Sequence, residues 1–112
     1  GLIEARALAA LGLARKAGAV VSGFEKVREA LSSGRAAALL SASDAADGGV
    51  EKLARLAGDN PVIRAFPAAR QSAALGLDNA VHVAVLKGSH AERFLKEIAR
   101  LRGFCEGGGE VS

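Results

Sequence analysis

The sequence predicts an α/β fold, a three-layer α/β/α sandwich in which helices cover both faces of one sheet. Segments with apolar residues at helical spacing alternate strictly with short apolar runs of strand length, giving five helices and four strands. The chain has 112 residues, of which 50% are hydrophobic and 24% are charged. This length and composition are typical of one globular domain, which buries roughly two-thirds of its unfolded surface.

Apolar spacing places two helices in the first third of the chain. The first helix ends before Gly18 and buries one face. That face consists of Ile3, Ala7, Ala10, Leu11 and Ala14. Residues 19–21 then form a short strand. Ser22 to Glu25 match a capping box that opens a second helix ending at Gly34. The buried stripe of that helix is Phe24, Val27 and Leu31.

The middle of the chain contains two more strands around a third helix. Residues 36–42 are a compact apolar run of strand length. Asp44 or Asp47 is expected to cap the third helix, which ends at Gly58. Its apolar stripe is Val50, Leu53, Leu56 and Ala57. A turn at residues 59–61 leads into a short strand at residues 62–65.

The last third of the chain contains a short helix, a strand and a longer helix. Pro67 suits the first position of the fourth helix, which stops at Gly76. Residues 81–86 are the clearest strand, and Ser89 to Glu92 form a second capping box. The apolar stripe of the last helix is Ala91, Phe94, Leu95, Ile98 and Leu101. We expect residues 1–103 to form one domain and residues 104–112 a flexible Gly-rich tail.

Composition excludes several classes of protein. No apolar run approaches the ~18–20 residues that a membrane-spanning helix needs. The single cysteine, Cys105, excludes an internal disulfide framework and a multi-cysteine metal site. Without Tyr or Trp, an aromatic platform for stacking single-stranded bases is not expected. No secretory signal opens the chain, so we expect a cytoplasmic protein.

The residues that most often perform catalysis form no recognisable constellation. Gly18 and Gly23 have the spacing of a Walker A loop, but Phe24 and Glu25 stand where that motif needs Lys and Ser or Thr. His82 is interpreted as a sheet residue and His90 as a surface residue. Cys105 lies in the predicted tail and is interpreted as a spectator thiol. We therefore expect no enzymatic activity, no cofactor and no metal ion.

Positive charge is concentrated in the first third of the chain. Residues 1–35 carry six basic and three acidic side chains. Arg15 and Lys16 end the first helix, and Lys26 and Arg28 lie in the first turns of the second. The start of that helix also offers unpaired backbone N–H groups and the positive end of its dipole. Two interpretations stay open: a phosphate-binding corner, or cations that complement a helix C-terminus and remain solvated.

Three segments together carry a resemblance to a known family. They are residues 11–34, LGLARKAGAVVSGFEKVREALSSG, followed by LLSASDAADG and then ALGLDNAVHVAVL. In this order and spacing they resemble the kink-turn RNA-binding ribosomal proteins of the L-seven-Ae/L-thirty-e group, within it the bacterial YlxQ-like branch. The resemblance covers roughly residues 8–103. It implies an α/β/α sandwich around a four-stranded mixed sheet.

The resemblance implies that the second helix enters the RNA groove with its N-terminus. The family motif there is Gly, a small residue, Asn and Glu, with a Lys three positions later. Gly23 matches the glycine and Phe24 the next position, whereas Glu25 and Lys26 replace Asn and Glu, and Glu29 replaces the Lys. These departures favour phosphate contacts over base-specific ones, and Gly23 keeps a close backbone approach possible.

The family's second RNA-contacting element is the loop before the last strand. Here this loop is residues 77–81, in which Leu77, Ala80 and Val81 are apolar and Asn79 offers an amide. The resemblance implies that these side chains pack against an extruded base. An ordinary turn made by Asp78 and Asn79 is the alternative.

These observations predict a non-enzymatic domain that binds a structured RNA, with ribosomal RNA as one candidate, and neither a membrane nor a small-molecule substrate. One alternative is a protein-interaction adaptor of the same fold, which binds its partner through the loop at 77–81. Another is the substrate-recognition domain of an RNA-modifying enzyme. The absence of an initial Met also suggests the C-terminal part of a longer protein that begins with a YlxR-like domain.

Overall fold

A computed structural model of the protein describes residues 2–105, in which helices and strands alternate as the sequence predicts. In chain order the elements are α1 (Leu2–Lys16), β1 (Val20–Ser22), α2 (Phe24–Ser32), β2 (Ala36–Ser41), α3 (Asp47–Ala57), β3 (Val62–Ile63), α4 (Ala68–Leu75), β4 (His82–Leu86) and α5 (Ser89–Cys105). The predicted number, type and order of the elements are all confirmed.

The four strands form one mixed sheet in the order β1-β4-β2-β3. β4 lies antiparallel to both of its neighbours, β1 and β2, whereas β2 and β3 are parallel. The parallel pair is joined through α3, because parallel strands need a long crossover connection. This order places β1, the strand that leads into α2, at one edge of the sheet and beside β4.

Each face of the sheet is covered by its own layer of helices, which confirms the three-layer sandwich. Successive strand residues point to opposite faces. On one face, Leu40, Val83 and Val85 pack with buried residues of α1, α4 and α5. On the other face, Leu39 and Ala84 pack with buried residues of α2 and α3.

Both predicted capping boxes are wrong. Ser22 ends β1, and the residue that precedes α2 is Gly23, with φ 100° and no side-chain cap. The first bond of α2 runs from the Val27 N–H to the Gly23 carbonyl at 2.9 Å. α5 also begins from a glycine, because the Glu92 N–H donates to the Gly88 carbonyl at 3.1 Å. In both places glycine is preferred because φ is positive there.

The start of α3 differs from the prediction in a similar way. Ala46 occupies the capping position, and neither Asp44 nor Asp47 caps this helix. The Asp44 carboxylate instead accepts the Ala68 N–H at 3.0 Å, at the first residue of α4. Asp44 therefore serves a helix that begins 24 residues further along the chain.

One boundary and one core residue also differ from the prediction. Leu56 was predicted in the buried stripe of α3 but is 40% exposed, so it lies on the edge of that face. α5 extends to Cys105, past the predicted domain boundary at residue 103. The remaining part of the predicted tail, residues 106–112, lies outside the described residues. No helix within residues 2–105 is long and apolar enough to cross a membrane.

Candidate nucleic-acid interface

A cleft of about 410 Å³ opens beside the edge strand β1, where the segment from the end of α1 to the start of α2 meets the distant loop before β4. The end of α1 contributes Arg15, the β1–α2 junction contributes Gly23 and Lys26, and the loop before β4 contributes residues 77–79. Val20, Val21 and Ser22 of β1 form its floor. The structure therefore brings two of the four basic residues, Arg15 and Lys26, together with the loop on one surface.

The turn after α1 directs Arg15 towards this cleft. Gly18 has φ 77°, and the Ala19 N–H donates to the Ala14 carbonyl at 2.8 Å. This left-handed C-terminal turn ends the helix and sends the chain directly into β1. Arg15 consequently lies beside the edge strand, one turn before the reversal.

Gly23 fixes the start of α2 against the sheet. Its N–H donates to the His82 carbonyl at 3.0 Å, which ties the β1–α2 junction to the first residue of β4. Because no side chain caps α2, the free N–H groups of its first turn stay available at the rim of the cleft. These groups, together with the helix dipole, favour an anion at this position.

The cleft is lined by two cations and one carboxylate. Within residues 2–105, neither Arg15 nor Lys26 forms an ion pair, and both are exposed. Asp78 is the acidic residue that also lines the cleft, so the lining carries a net charge of one positive unit. The arrangement suits a phosphate group next to less polar surface from Leu77 and β1.

Arg28, Glu25 and Lys16 lie outside the cleft. The Arg28 guanidinium donates to the Glu25 carboxylate at 2.7 Å, so its charge is directed along the exposed side of α2. This i, i+3 pair is visible in the sequence as a signal that Arg28 has a local partner. Lys16 lines a different depression, the groove between α1 and α4, which Arg15 borders as well.

Phe24 lies beside the interface rather than in it. Its ring meets the His82 ring edge to face, with 5.8 Å between centroids. The Ser41 hydroxyl lies 3.0 Å from Nδ1 of His82. Burial, and to a smaller extent the nearby Arg64 cation, lowers the pKa of His82 below its ordinary value of 6.5. His82 is thus a sheet residue, as the sequence predicts.

The loop at residues 77–81 presents only its first half to the cleft. Leu77, Asp78 and Asn79 line it, whereas Ala80 is completely buried and Val81 is half-buried. Asn79 has φ 54°, which is uncommon for a residue other than glycine, although Asn tolerates it best. The Ala80 side chain is buried and Val81 does not line the cleft, so among the apolar residues of the loop only Leu77 is placed to contact a ligand there.

Sequence reasoning missed several residues that shape the site. Ser22, interpreted as a helix cap, is a floor residue of the cleft. Gln71 and Ser72 hold the loop from α4 through bonds to Ala80. The sequence carries little signal for these last two, which follow Arg70 in an otherwise alanine-rich helix. Only the structure shows that Gln71 is completely buried. Among residues 2–105, no group of three or more potential ligands lies together that would hold a metal ion.

The fold is shared with proteins of known structure. A protein of unknown function from Bacillus halodurans superposes with a TM-score of 0.78 at 25% sequence identity, covering 84% of this chain and 97% of that chain. The 15.5kD RNA binding protein of Giardia lamblia superposes with a TM-score of 0.72 at 13% identity, covering 92% and 90%. No protein-family model and no curated protein sequence matches the chain. At these identities the second likeness concerns the fold alone.

Proposed function

We propose that this chain is a non-enzymatic RNA-binding domain that recognises a structured RNA through the cleft between α1, α2 and the loop at residues 77–81. Phosphate groups bind at Arg15, Lys26 and the N-terminus of α2. Unstacked or kinked nucleotides contact Leu77 and Asn79. A kink-turn is the RNA shape that we propose as the target.

The observation that carries this proposal is the convergence of two unpaired cations and a helix N-terminus on one cleft. Phosphate contacts supply most of the affinity of many nucleic-acid-binding proteins, and they need exposed cations that no carboxylate neutralises. In the family motif, Asn and Glu stand where this chain has Glu25 and Lys26. This replacement also favours phosphate contacts, because it removes expected base contacts and adds a cation at the rim of the cleft.

The structural neighbours support the proposal at the level of fold. The Giardia lamblia protein is named as an RNA binding protein, and it shares this architecture over nine-tenths of both chains. The Bacillus halodurans protein is matched over almost its whole length. We further propose that the chain belongs to the bacterial YlxQ-like branch, binds ribosomal RNA and is cytoplasmic.

A binding titration tests the function directly. The protein is titrated against a kink-turn RNA and a plain duplex of equal length, at two salt concentrations. We expect the kink-turn to bind more tightly, with each phosphate contact contributing roughly −0.7 to −0.9 to the log–log salt slope. Equal, salt-sensitive binding to both RNAs would show that the target is an RNA other than a kink-turn. No binding to either RNA would contradict the proposal.

A charge-reversal pair tests the site. Lys26→Glu combined with Arg15→Glu is expected to weaken RNA binding at least about tenfold, because repulsion replaces two phosphate contacts. Lys96→Glu combined with Arg93→Glu is the matched control. It makes the same change in net charge at exposed, unpaired residues of α5 that do not line the cleft. Equal losses of RNA affinity in both folded variants would show that the effect comes from net charge and not from the cleft.

An adaptor that binds another protein is the second candidate function. A groove of about 860 Å³ runs between α1 and α4 and is lined mainly by alanine and leucine side chains. It includes Leu13, which is 45% exposed. An apolar groove of this kind suits a protein segment better than an RNA backbone. Binding with little salt dependence and no response to Lys26→Glu alone would favour this function, because Arg15 borders this groove as well as the cleft.

A further inference from the structure

The loop that borders the cleft is held from behind by two side chains of α4. The Ser72 hydroxyl accepts the Ala80 N–H at 2.9 Å and donates to the Ala68 carbonyl at 2.7 Å. It therefore links the loop to the preceding turn of the helix. The Leu77 N–H adds a bond to the Ser72 carbonyl at 3.0 Å, so both ends of the loop are tied to this one residue.

The side chain of Gln71 makes the second connection from α4 to the loop. Its side-chain Nε2 donates to the Ala80 carbonyl at 2.8 Å and lies 3.4 Å from the Val81 carbonyl. The side chain is completely buried, and its Oε1 has no hydrogen-bond partner within the described residues. A buried amide oxygen without a partner destabilises the folded state. A buried glutamine at this position is explained if its amide holds the loop in its observed geometry.

The loop needs such support because its own backbone conformation is unfavourable. Asn79 adopts φ 54°, and the Val81 N–H closes a tight turn onto the Asn79 carbonyl at 2.8 Å. Residues in this conformation persist when the surrounding structure holds them. The bonds from Gln71 and Ser72 reach Ala80, the residue immediately after Asn79, and fix both its N–H and its carbonyl.

We propose that Gln71 and Ser72 are positioning residues that preform the loop at 77–79 for RNA, and so determine selectivity for a kinked RNA over a plain duplex. This inference rests on the proposed function. Neither residue lines the cleft, so their effect is exerted through the loop alone. A preformed loop loses less conformational entropy on binding, which favours the RNA whose shape matches it.

Ser72→Ala removes the acceptor of the Ala80 N–H while leaving every cation of the cleft in place. We expect about a fivefold loss of affinity for the kink-turn RNA, an unchanged affinity for the duplex and an unchanged salt slope. Ser72→Thr is expected to restore binding, because a helical Thr hydroxyl also reaches the carbonyl four residues earlier. Gln71→Met, which removes the amide at similar length, should reproduce the loss. Each titration is made well below the melting temperature of the variant.

The exchange rate of the Ala80 amide proton provides a readout that does not involve RNA. We expect it to be protected in the wild type and in Ser72→Thr, and to exchange faster in Ser72→Ala. A folded Ser72→Ala protein with wild-type affinity and selectivity would overturn the positioning role while leaving RNA binding intact. Equal losses for kink-turn and duplex would also overturn it. A wild-type protein that binds neither RNA would instead refute the proposed function, and this inference with it.

Discussion

His82 couples the stability of the protein to pH. It lies half-buried between α2 and α3, with Phe24 against its ring and the Ser41 hydroxyl at 3.0 Å from Nδ1. Because burial lowers its pKa below the ordinary 6.5, the unfolded chain binds this proton more readily than the folded protein. The stabilisation is therefore complete above pH 6.5 and is lost as the pH falls through the lowered pKa.

We expect the melting temperature of the wild type to fall between pH 7.5 and pH 5 by more than that of His82→Gln. The reason is that glutamine fills part of the same space but does not titrate. His90→Gln, in the first turn of α5, is the matched control for the loss of a histidine side chain. Parallel curves for the wild type and His82→Gln would contradict this assignment.

At the scale of elements, the contact between α1 and α4 depends on a glycine. A Cβ built on Gly12 would lie 3.0 Å from the Ala74 carbonyl oxygen, which belongs to the backbone of α4 and cannot turn aside. Gly48, in the first turn of α3, would place a Cβ in open space. Alanine substitutions at these two glycines therefore distinguish the effect of helix propensity on stability from the effect of helix packing.

Gly48→Ala should stabilise the protein by up to about 1 kcal/mol, because alanine is the better helix former. Gly12→Ala gains the same propensity but must push the helices apart, and overpacking typically costs ~1–3 kcal/mol. We expect opposite shifts in the urea midpoint of unfolding for the two variants. A stabilised Gly12→Ala protein would show that α1 and α4 separate freely.

The elements also show which local signals in the sequence are reliable. Apolar spacing located most helices, short apolar runs located the strands, and Pro67 and Gly76 marked α4. These signals are reliable because a helix must repeat its buried stripe every 3.6 residues and a strand covered on both faces is continuously apolar. Capping signals were less reliable. Asp44 has the right side chain for a cap, but it serves α4, since the fold brings the start of that helix to it. A capping motif shows that a side chain is able to cap a helix. It does not show which helix that side chain contacts in the folded protein.

At the scale of the whole molecule, two cores share one sheet. Leu39 and Leu40 are adjacent in β2 and completely buried, yet Leu39 belongs to the core under α2 and α3 and Leu40 to the core under α1, α4 and α5. The strands lie between both layers, so neither core persists without the sheet. This arrangement predicts one cooperative unfolding transition.

Leu39→Ala and Leu40→Ala should each destabilise the protein by ~2–5 kcal/mol, the usual cost of emptying a buried leucine site. We expect far-UV circular dichroism and methyl NMR signals from both layers to change together in each variant. Unfolding of one helical layer while the other keeps its native signals would contradict the shared-sheet argument. The pair is internally matched, since the same side chain is shortened on each face.

The assembly of the cleft is also a property of the whole molecule. Leu77 is far from Arg15 and Gly23 in sequence and becomes their neighbour because β1 pairs with β4 at the edge of the sheet. Whether a cation is available depends equally on its surroundings. Lys26 has no acidic partner within residues 2–105, whereas Arg28, two positions later, is held by Glu25.

The sequence by itself determined the class of fold, the order of its elements, most of the buried stripes and the residues worth testing for RNA contact. The fold class, the element order and the buried stripes follow from apolar spacing, short apolar runs and turn residues, which are local properties. The candidate RNA contacts follow from local charge and from the resemblance to a known family. Only the tertiary structure decided which of those residues share a cleft, that Ala80 is buried, and that Gln71 and Ser72 support the loop. Such relations depend on strand order and on contacts between distant segments, and no local pattern of residues encodes them.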